Sequence, residues 1–115
     1  MEKTIKDFKK KICFISGPIS NDPSYSWKFE RASCFLKSLS IIPVNPAKFG
    51  NAIQSDGCDF DHDGWLTIDK AILALCDCVL VLEGFSTSKG SMAEIEYAES
   101  IGLPVFYWAN YKPTV

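Results

Sequence analysis

Residues 78–82 read CVLVL, the clearest strand pattern in the chain. So short an apolar run predicts a strand that is buried on both faces, as the strands of parallel sheets are. Apolar residues recur at helical spacing before it, at 65–76, and after it, at 91–101. A strand between two helices is typical of a βαβ arrangement, in which the strands run parallel.

The same alternation extends to both ends of the chain. The other predicted elements are strands at 11–16, 41–44 and 104–108 and a helix at 24–39. The polar, turn-rich segments 47–63 and 85–90 are predicted to be loops. Because the connections are short, we expect right-handed crossovers and a parallel sheet with helices on both faces.

Length and composition restrict the class of protein. The 115 residues are enough for one domain, and the 47% hydrophobic content excludes a disordered chain. No apolar run reaches the roughly 18–20 residues of a membrane span, and the N-terminus is charged rather than signal-like, so we expect a cytoplasmic protein with no membrane partner. The net charge of −2 argues against binding a nucleic acid polymer.

No metal site is expected from the cysteines, the histidine or the acidic residues. The five cysteines are Cys13, Cys34, Cys58, Cys76 and Cys78. Their odd number, without a C-x-x-C pair, predicts buried free thiols in a reducing compartment. His62 is the single histidine, and the acidic run at 59–64 has Lys70 where a calcium-binding loop needs glutamate.

Three loops are predicted to meet at one edge of the sheet, because ligands of such sheets bind beyond the carboxyl ends of the strands. They are Gly17 to Asn21, the residues from Asn45 onward, and Gly84 to Gly90. The last loop leads into a helix N-terminus, where hydroxyls, a lysine and backbone N–H groups suit an anion. An ordinary turn with a helix cap is the alternative for this loop.

Two carboxylates fall on the apolar faces of neighbouring predicted helices. At about 100° per residue from Met92, Glu94 lies at about 200°, inside an apolar arc from about 140° to 300°. Asp69 lies at about 40° from Trp65, in the middle of its own apolar arc. A buried carboxylate must be paired, hydrogen-bonded or protonated, and such groups suit nucleophilic or acid–base work. A helix-start role for Glu94 and a backbone hydrogen bond for Asp69 remain alternatives.

A set of short motifs occurs in order across nearly all of residues 11–108. It consists of Ile15-Ser16-Gly17-Pro18-Ile19, Asn45-Pro46-Ala47, Asp69 ahead of Cys76-Asp77, and Ser88-x-Gly90-x-x-x-Glu94 with Ala98, Gly102 and Pro104-Val105. This set resembles the nucleoside 2-deoxyribosyltransferase superfamily, in particular the DUF4406-type proteins and the 2′-deoxynucleoside 5′-phosphate N-hydrolases. The resemblance implies a flavodoxin-like (Rossmann-like) three-layer sandwich with a parallel sheet of four to five strands, formed by residues 1–115 as one domain.

The resemblance also implies an activity that needs no cofactor. Glu94 would attack the anomeric carbon of a sugar, release the base and form a glycosyl-enzyme ester, which water or a second base resolves. Asp69 would handle the base or the sugar hydroxyls and assist proton transfer. Proteins of this kind pair through their subunits, so a homodimer or higher homo-oligomer is implied.

The residues implied to bind substrate are Ser16, Gly17, Pro18, Ile19, Asn45, Ser88, Lys89 and Gly90. Nucleoside-specific relatives carry an acidic residue where this chain has Ser88. A serine at a helix N-terminus accepts a phosphate that a carboxylate would repel. The expected substrate is therefore a (deoxy)nucleoside 5′-monophosphate, cleaved by hydrolysis or by transfer to another base.

A second hypothesis keeps the fold and the ligand without the chemistry. Phe14 or Cys13 stands where related enzymes carry a tyrosine that orients the nucleophile, and the arginine that phosphate-specific relatives carry after the glycine is absent. The alternative function is a non-catalytic module that binds or senses a nucleotide.

Overall fold

The computed structural model describes residues 4–19, 22–49 and 61–110, apart from the His62 side chain. Four strands form one parallel sheet: β1 (Ile12–Ser16), β2 (Ile42–Val44), β3 (Cys78–Val81) and β4 (Val105–Tyr107). The α-helices are α1 (Tyr25–Ser38), α2 (His62–Leu73) and α3 (Lys89–Ser100), and short 3₁₀ turns lie at Ile5–Phe8, Phe85–Thr87 and Trp108–Asn110. The predicted flavodoxin-like α/β sandwich is confirmed.

The strand order is β2-β1-β3-β4. β1 and β3, whose sequences are almost wholly apolar, lie at the centre and are buried along nearly their whole length. β2 contains Pro43, which has no backbone N–H to donate, and it lies at the edge of the sheet, where prolines are tolerated. The burial of each strand therefore matches its position, because the central strands are buried and the edge strands β2 and β4 are partly exposed.

Successive residues of a strand point to opposite faces of the sheet, and each face has its own core. The first core lies on the α1 side and joins Ile15 of β1 to Phe29 and Leu36 of α1. The second core lies on the α2 and α3 side and joins Phe14 of β1 to Ile95 of α3. Even-numbered residues of β1 thus face the second core.

Polar caps shift the helix boundaries from those predicted. α2 begins three residues early because the Asp61 side chain accepts a hydrogen bond from the backbone N–H of Gly64 at 2.7 Å. α3 begins two residues early because Ser88 accepts from the backbone N–H of Ser91 at 3.2 Å. Residues 46–49 are helical although the loop prediction was 47–63, and 50–60 lie outside the described residues.

The cysteine prediction is confirmed for three positions and wrong for one. Cys13, Cys76 and Cys78 are buried free thiols, whereas Cys34 is exposed. Ala32, Ser33 and Leu36 form the inward face of α1, and this leaves Cys34 on the solvent side. Cys58 lies outside the described residues. None of the helices in the described ranges is both long and apolar enough to cross a bilayer.

Candidate active site

The side chain of Glu94 is buried on the face of α3 that packs against the sheet. It is 6% exposed, and Ser91, Ile95 and Ala98 on the same helix face are buried too. The burial predicted from the helical wheel is confirmed. Glu94 is the one buried carboxylic acid among the described residues, so its partners decide what it can do.

Asp69 supplies the first partner. α2 and α3 pack against each other, and the half-buried carboxyl of Asp69 shares a hydrogen bond with Glu94. Two adjacent carboxylates repel each other when both are ionised, so such a pair holds a proton. Burial raises the pKa of Glu94 well above its usual value, and the hydrogen bond and charge of Asp69 raise it further.

The two carboxyls share one proton between them. Burial also raises the pKa of Asp69, but the hydrogen bond with Glu94 acts in the opposite direction and lowers it. Because Glu94 is the more deeply buried of the two, desolvation favours a protonated Glu94 that donates to the Asp69 carboxylate. A proton shared in this way is ready to move between the two groups when charge develops nearby.

Ser16 supplies the second partner. Its hydroxyl donates to Oε1 of Glu94 at 2.7 Å, and both side chains are buried. Ser16 is the last residue of β1 and faces the second core, because it is an even-numbered position like Phe14. It has no exposed surface, so its hydroxyl is committed to Glu94.

Gly17 lets the end of β1 approach the chain beyond β3. A Cβ atom added at Gly17 would lie 2.9 Å from Cβ of Leu82, a distance that real Cβ atoms do not tolerate. The backbone N–H of Leu82 donates to the carbonyl of Ser16 at 2.8 Å. A side chain at position 17 would therefore push apart the strands that position Ser16.

A cleft of about 450 Å³ opens at the carboxyl ends of β1 and β3. It is lined by Pro18 after β1, by Asp22 and Lys28 around the start of α1, and by Glu83, Gly84, Thr87 and Ser88 between β3 and α3. Its volume suits a small organic ligand. Two of the three predicted loops therefore meet, but neither Glu94 nor Asp69 is part of this lining.

The cleft contains a fixed ion pair. Nζ of Lys28 lies 2.9 Å from Oδ2 of Asp22, and the backbone N–H of Ser24 donates to Oδ1 of the same carboxylate at 2.9 Å. The Lys28 contact lowers the pKa of Asp22. The same lining includes Ser88, the N-cap of α3, whose first turn holds no acidic residue and carries the positive end of the helix dipole.

The other predicted binding residues have different positions. Oδ1 of Asn45 accepts from the backbone N–H of Lys48 at 3.3 Å and so caps the helical turn at 46–49. Ile19 is 41% exposed, and Lys89 and Gly90 form the first turn of α3. None of these four side chains or backbones lines the cleft described above.

Some residues in the cleft and next to Glu94 are not predicted from the sequence. No sequence pattern joins Asp22 to Lys28, because their contact depends on the way the chain enters α1. Ser91 is different, since the same helical wheel places it at about 260°, inside the apolar arc. Its buried hydroxyl has no hydrogen-bond partner in the described part of the chain.

Within residues 4–19, 22–49 and 61–110, no group of three or more His, Cys, Asp or Glu side chains is arranged to hold a metal ion.

Comparison with known proteins assigns the chain to a family. No curated protein and no solved structure matches the chain. A family model described as a domain of unknown function (DUF4406) matches residues 11–107, which include every strand and α-helix described above. The chain therefore belongs to the DUF4406 family.

Proposed function

We propose that the protein cleaves the N-glycosidic bond of a (deoxy)nucleoside 5′-monophosphate through a glycosyl-Glu94 intermediate. The observation that supports this most is the buried Glu94 carboxyl, held between Asp69 and Ser16. Burying a carboxylic acid is unfavourable for folding. Ligands of such sheets bind at the carboxyl ends of the strands, where Ser16 holds Glu94, so we infer that this burial serves a reaction.

The first step needs an ionised Glu94. Glu94 passes its proton along the shared hydrogen bond to Asp69 and attacks C1′ of the sugar. The bond between C1′ and the base nitrogen breaks, and its electron pair leaves with the base. Asp69 gives the proton to that nitrogen, so the base departs neutral and Asp69 becomes a carboxylate again.

The second step releases the sugar. Asp69 takes a proton from water, and the oxygen of that water attacks C1′ as the ester bond to Glu94 breaks. The sugar keeps its original configuration at C1′ because it has been displaced twice. A second base in place of water would give transfer to that base, so hydrolysis and transfer share the same residues.

The cleft supports the choice of a nucleotide. Lys28 and the N-terminus of α3 provide positive potential, and Ser88 and Thr87 provide hydroxyls on the same lining. A phosphate bound there would leave the sugar to reach toward the end of β1, where Ser16 meets Glu94. The carboxylates of Asp22 and Glu83 in this lining repel a phosphate. The positive charge of Lys28 is therefore needed to offset that repulsion.

The test replaces the carboxyl of Glu94 with an amide. Wild-type protein is incubated with deoxynucleoside 5′-monophosphates, with and without an acceptor base, and free base is followed by chromatography. Glu94→Gln should lower the rate by a factor on the order of 10³ or more. Glu96→Gln, an exposed position on the same helix, is the matched control and should be fully active. Turnover by Glu94→Gln at the wild-type rate would overturn the proposal.

A second candidate function is nucleotide binding without chemistry. It is favoured by two features: burial raises the pKa of Glu94, which opposes the ionised form that would attack, and neither carboxyl lines the cleft. A binding module would give measurable heat on titration with a nucleoside monophosphate and no product after long incubation. It would also bind that ligand equally well after Glu94→Gln, and the lack of product from the wild-type protein would distinguish it from the enzyme.

A further inference from the structure

We propose that Ser16 is a positioning residue, whose hydroxyl holds Oε1 of Glu94 and leaves Oε2 as the oxygen that reacts. The inference rests on the function proposed above and assigns a role within it. It differs from the substrate contact that the sequence resemblance implies for Ser16, because a side chain with no exposed surface touches the protein interior.

The donor is attached to the most constrained part of the fold. Ser16 pairs with Val81 in the register of the two central strands, and its carbonyl accepts the backbone N–H of Leu82 at 2.8 Å. Glu94 sits on α3, which packs on the sheet from outside. The 2.7 Å bond between them therefore fixes the carboxyl of a helix residue relative to the sheet and the ligand-binding edge.

The bond also distinguishes the two carboxyl oxygens. Oε1 accepts the Ser16 hydroxyl, so its lone pairs are partly used. Oε2 is left to exchange the proton with Asp69 and to attack C1′. A hydroxyl that donates to a carboxylate also stabilises the ionised form, which is the form that reacts. The contact with Ser16 accordingly lowers the pKa of Glu94, against the effects of burial and Asp69.

Ser91 provides a matched control. It is a buried serine one helical turn before Glu94 on the same face of α3, and its hydroxyl has no partner in the described residues. Ser16→Ala and Ser91→Ala each remove one buried hydroxyl from the same region. They differ in that the Ser16 hydroxyl donates a hydrogen bond to Glu94 and the Ser91 hydroxyl does not.

Two measurements test the role. Steady-state kinetics should show kcat lowered about 10–100-fold in Ser16→Ala, with KM almost unchanged and the pH profile of kcat moved to higher pH. Nuclear magnetic resonance of the ¹³C-labelled Glu94 carboxyl should show its titration midpoint moved to higher pH as well. Ser16→Thr keeps the hydroxyl and should restore part of kcat, and Ser91→Ala should match the wild type in both measurements.

The outcomes separate this inference from the proposed function. An unchanged Glu94 midpoint in Ser16→Ala, or an equal loss of kcat in Ser91→Ala, overturns the role of Ser16. A shifted midpoint in a protein that cleaves no nucleotide overturns the proposed function but leaves the coupling of Ser16 to Glu94 established. Should Ser16→Ala fail to fold, Ser16→Cys keeps the volume with a weaker donor and is judged by the same two measurements.

Discussion

The two faces of the sheet share the same strands but bury different kinds of side chain. On the α1 face, Ile15 packs with Phe29 and Leu36, and the buried polar side chain among the described residues there is the uncharged Ser33. On the other face, the second core of Phe14 and Ile95 continues into a polar group. That group consists of Ser16, Ser91 and Glu94, with Asp69 at its margin.

The difference separates what folds the protein from what the proposed chemistry needs. Both faces bury enough apolar surface to hold helices, so the polar group adds nothing that packing requires. It includes an acid whose pKa burial raises and a hydroxyl without a partner, both of which oppose folding. We expect substitutions on the α1 face to change stability, and substitutions of Ser16, Asp69 and Glu94 to change activity.

The largest effect on activity after Glu94 itself is expected at Asp69. Asp69→Asn removes the group that relays the proton, so cleavage should slow by about 10²–10⁴-fold. The loss should be greatest for bases that leave poorly without protonation, which single-turnover rates across several bases would show. Asp63→Asn, at an exposed position in the first turn of α2, is the control. An equal loss for every base would exclude the relay.

The α1 face should respond in the opposite way. Leu36→Ala removes a fully buried side chain from the first core and should cost about 2–5 kcal/mol in the free energy of unfolding, measured with urea. Its kcat per folded molecule should stay at the wild-type value. Cys34→Ala, on the exposed side of the same helix, should leave stability nearly unchanged. A large fall in kcat for Leu36→Ala would mean that the two faces are not independent.

The sequence predicted the fold because its signals are local and repeated. The apolar run at 78–82 and the helical spacing around it define βαβ units whose handedness allows few arrangements. Burial of Glu94 was also predictable, since a helical wheel needs only the residues of one helix. These features depend on periodicity within a segment, and both are present in the structure.

The remaining parts of the site depend on contacts between distant segments. Ser16 and Glu94 are 78 positions apart, and their hydrogen bond requires knowing which helix covers which face of β1. The ion pair of Asp22 with Lys28 depends on the entry into α1. The helical turn at 46–49 contradicts the loop prediction for 47–63, which depends on polar, turn-rich composition and does not include the cap that Asn45 provides. Composition carries no signal for such contacts.

A smaller effect is expected at the ligand end of the cleft. Lys28 is the basic side chain in the described lining, so Lys28→Gln should lower kcat/KM for a nucleoside monophosphate about tenfold. The same variant should leave kcat/KM for the free nucleoside unchanged, because that substrate has no phosphate. Lys37→Gln, at an exposed position of α1, controls for the loss of one positive charge. Equal losses on both substrates would remove Lys28 from phosphate recognition.

The smallest expected effect is a gain in stability when the buried acid is replaced. The raised pKa of Glu94 means that the folded state binds its proton more tightly than the unfolded state. The resulting stabilisation is complete below the usual glutamate pKa and is lost as pH rises through the raised value. Glu94→Gln does not titrate, and its amide can donate to Asp69 and accept from Ser16. Its free energy of unfolding should therefore be about 0.5–2 kcal/mol higher than that of the wild type at about pH 8, with a smaller difference at about pH 4.

Thermal unfolding across this pH range measures the difference, with Glu96→Gln as the control. A gain that is independent of pH would show that the carboxyl carries no folding cost from ionisation, and the contrast between the two faces would then rest on geometry alone.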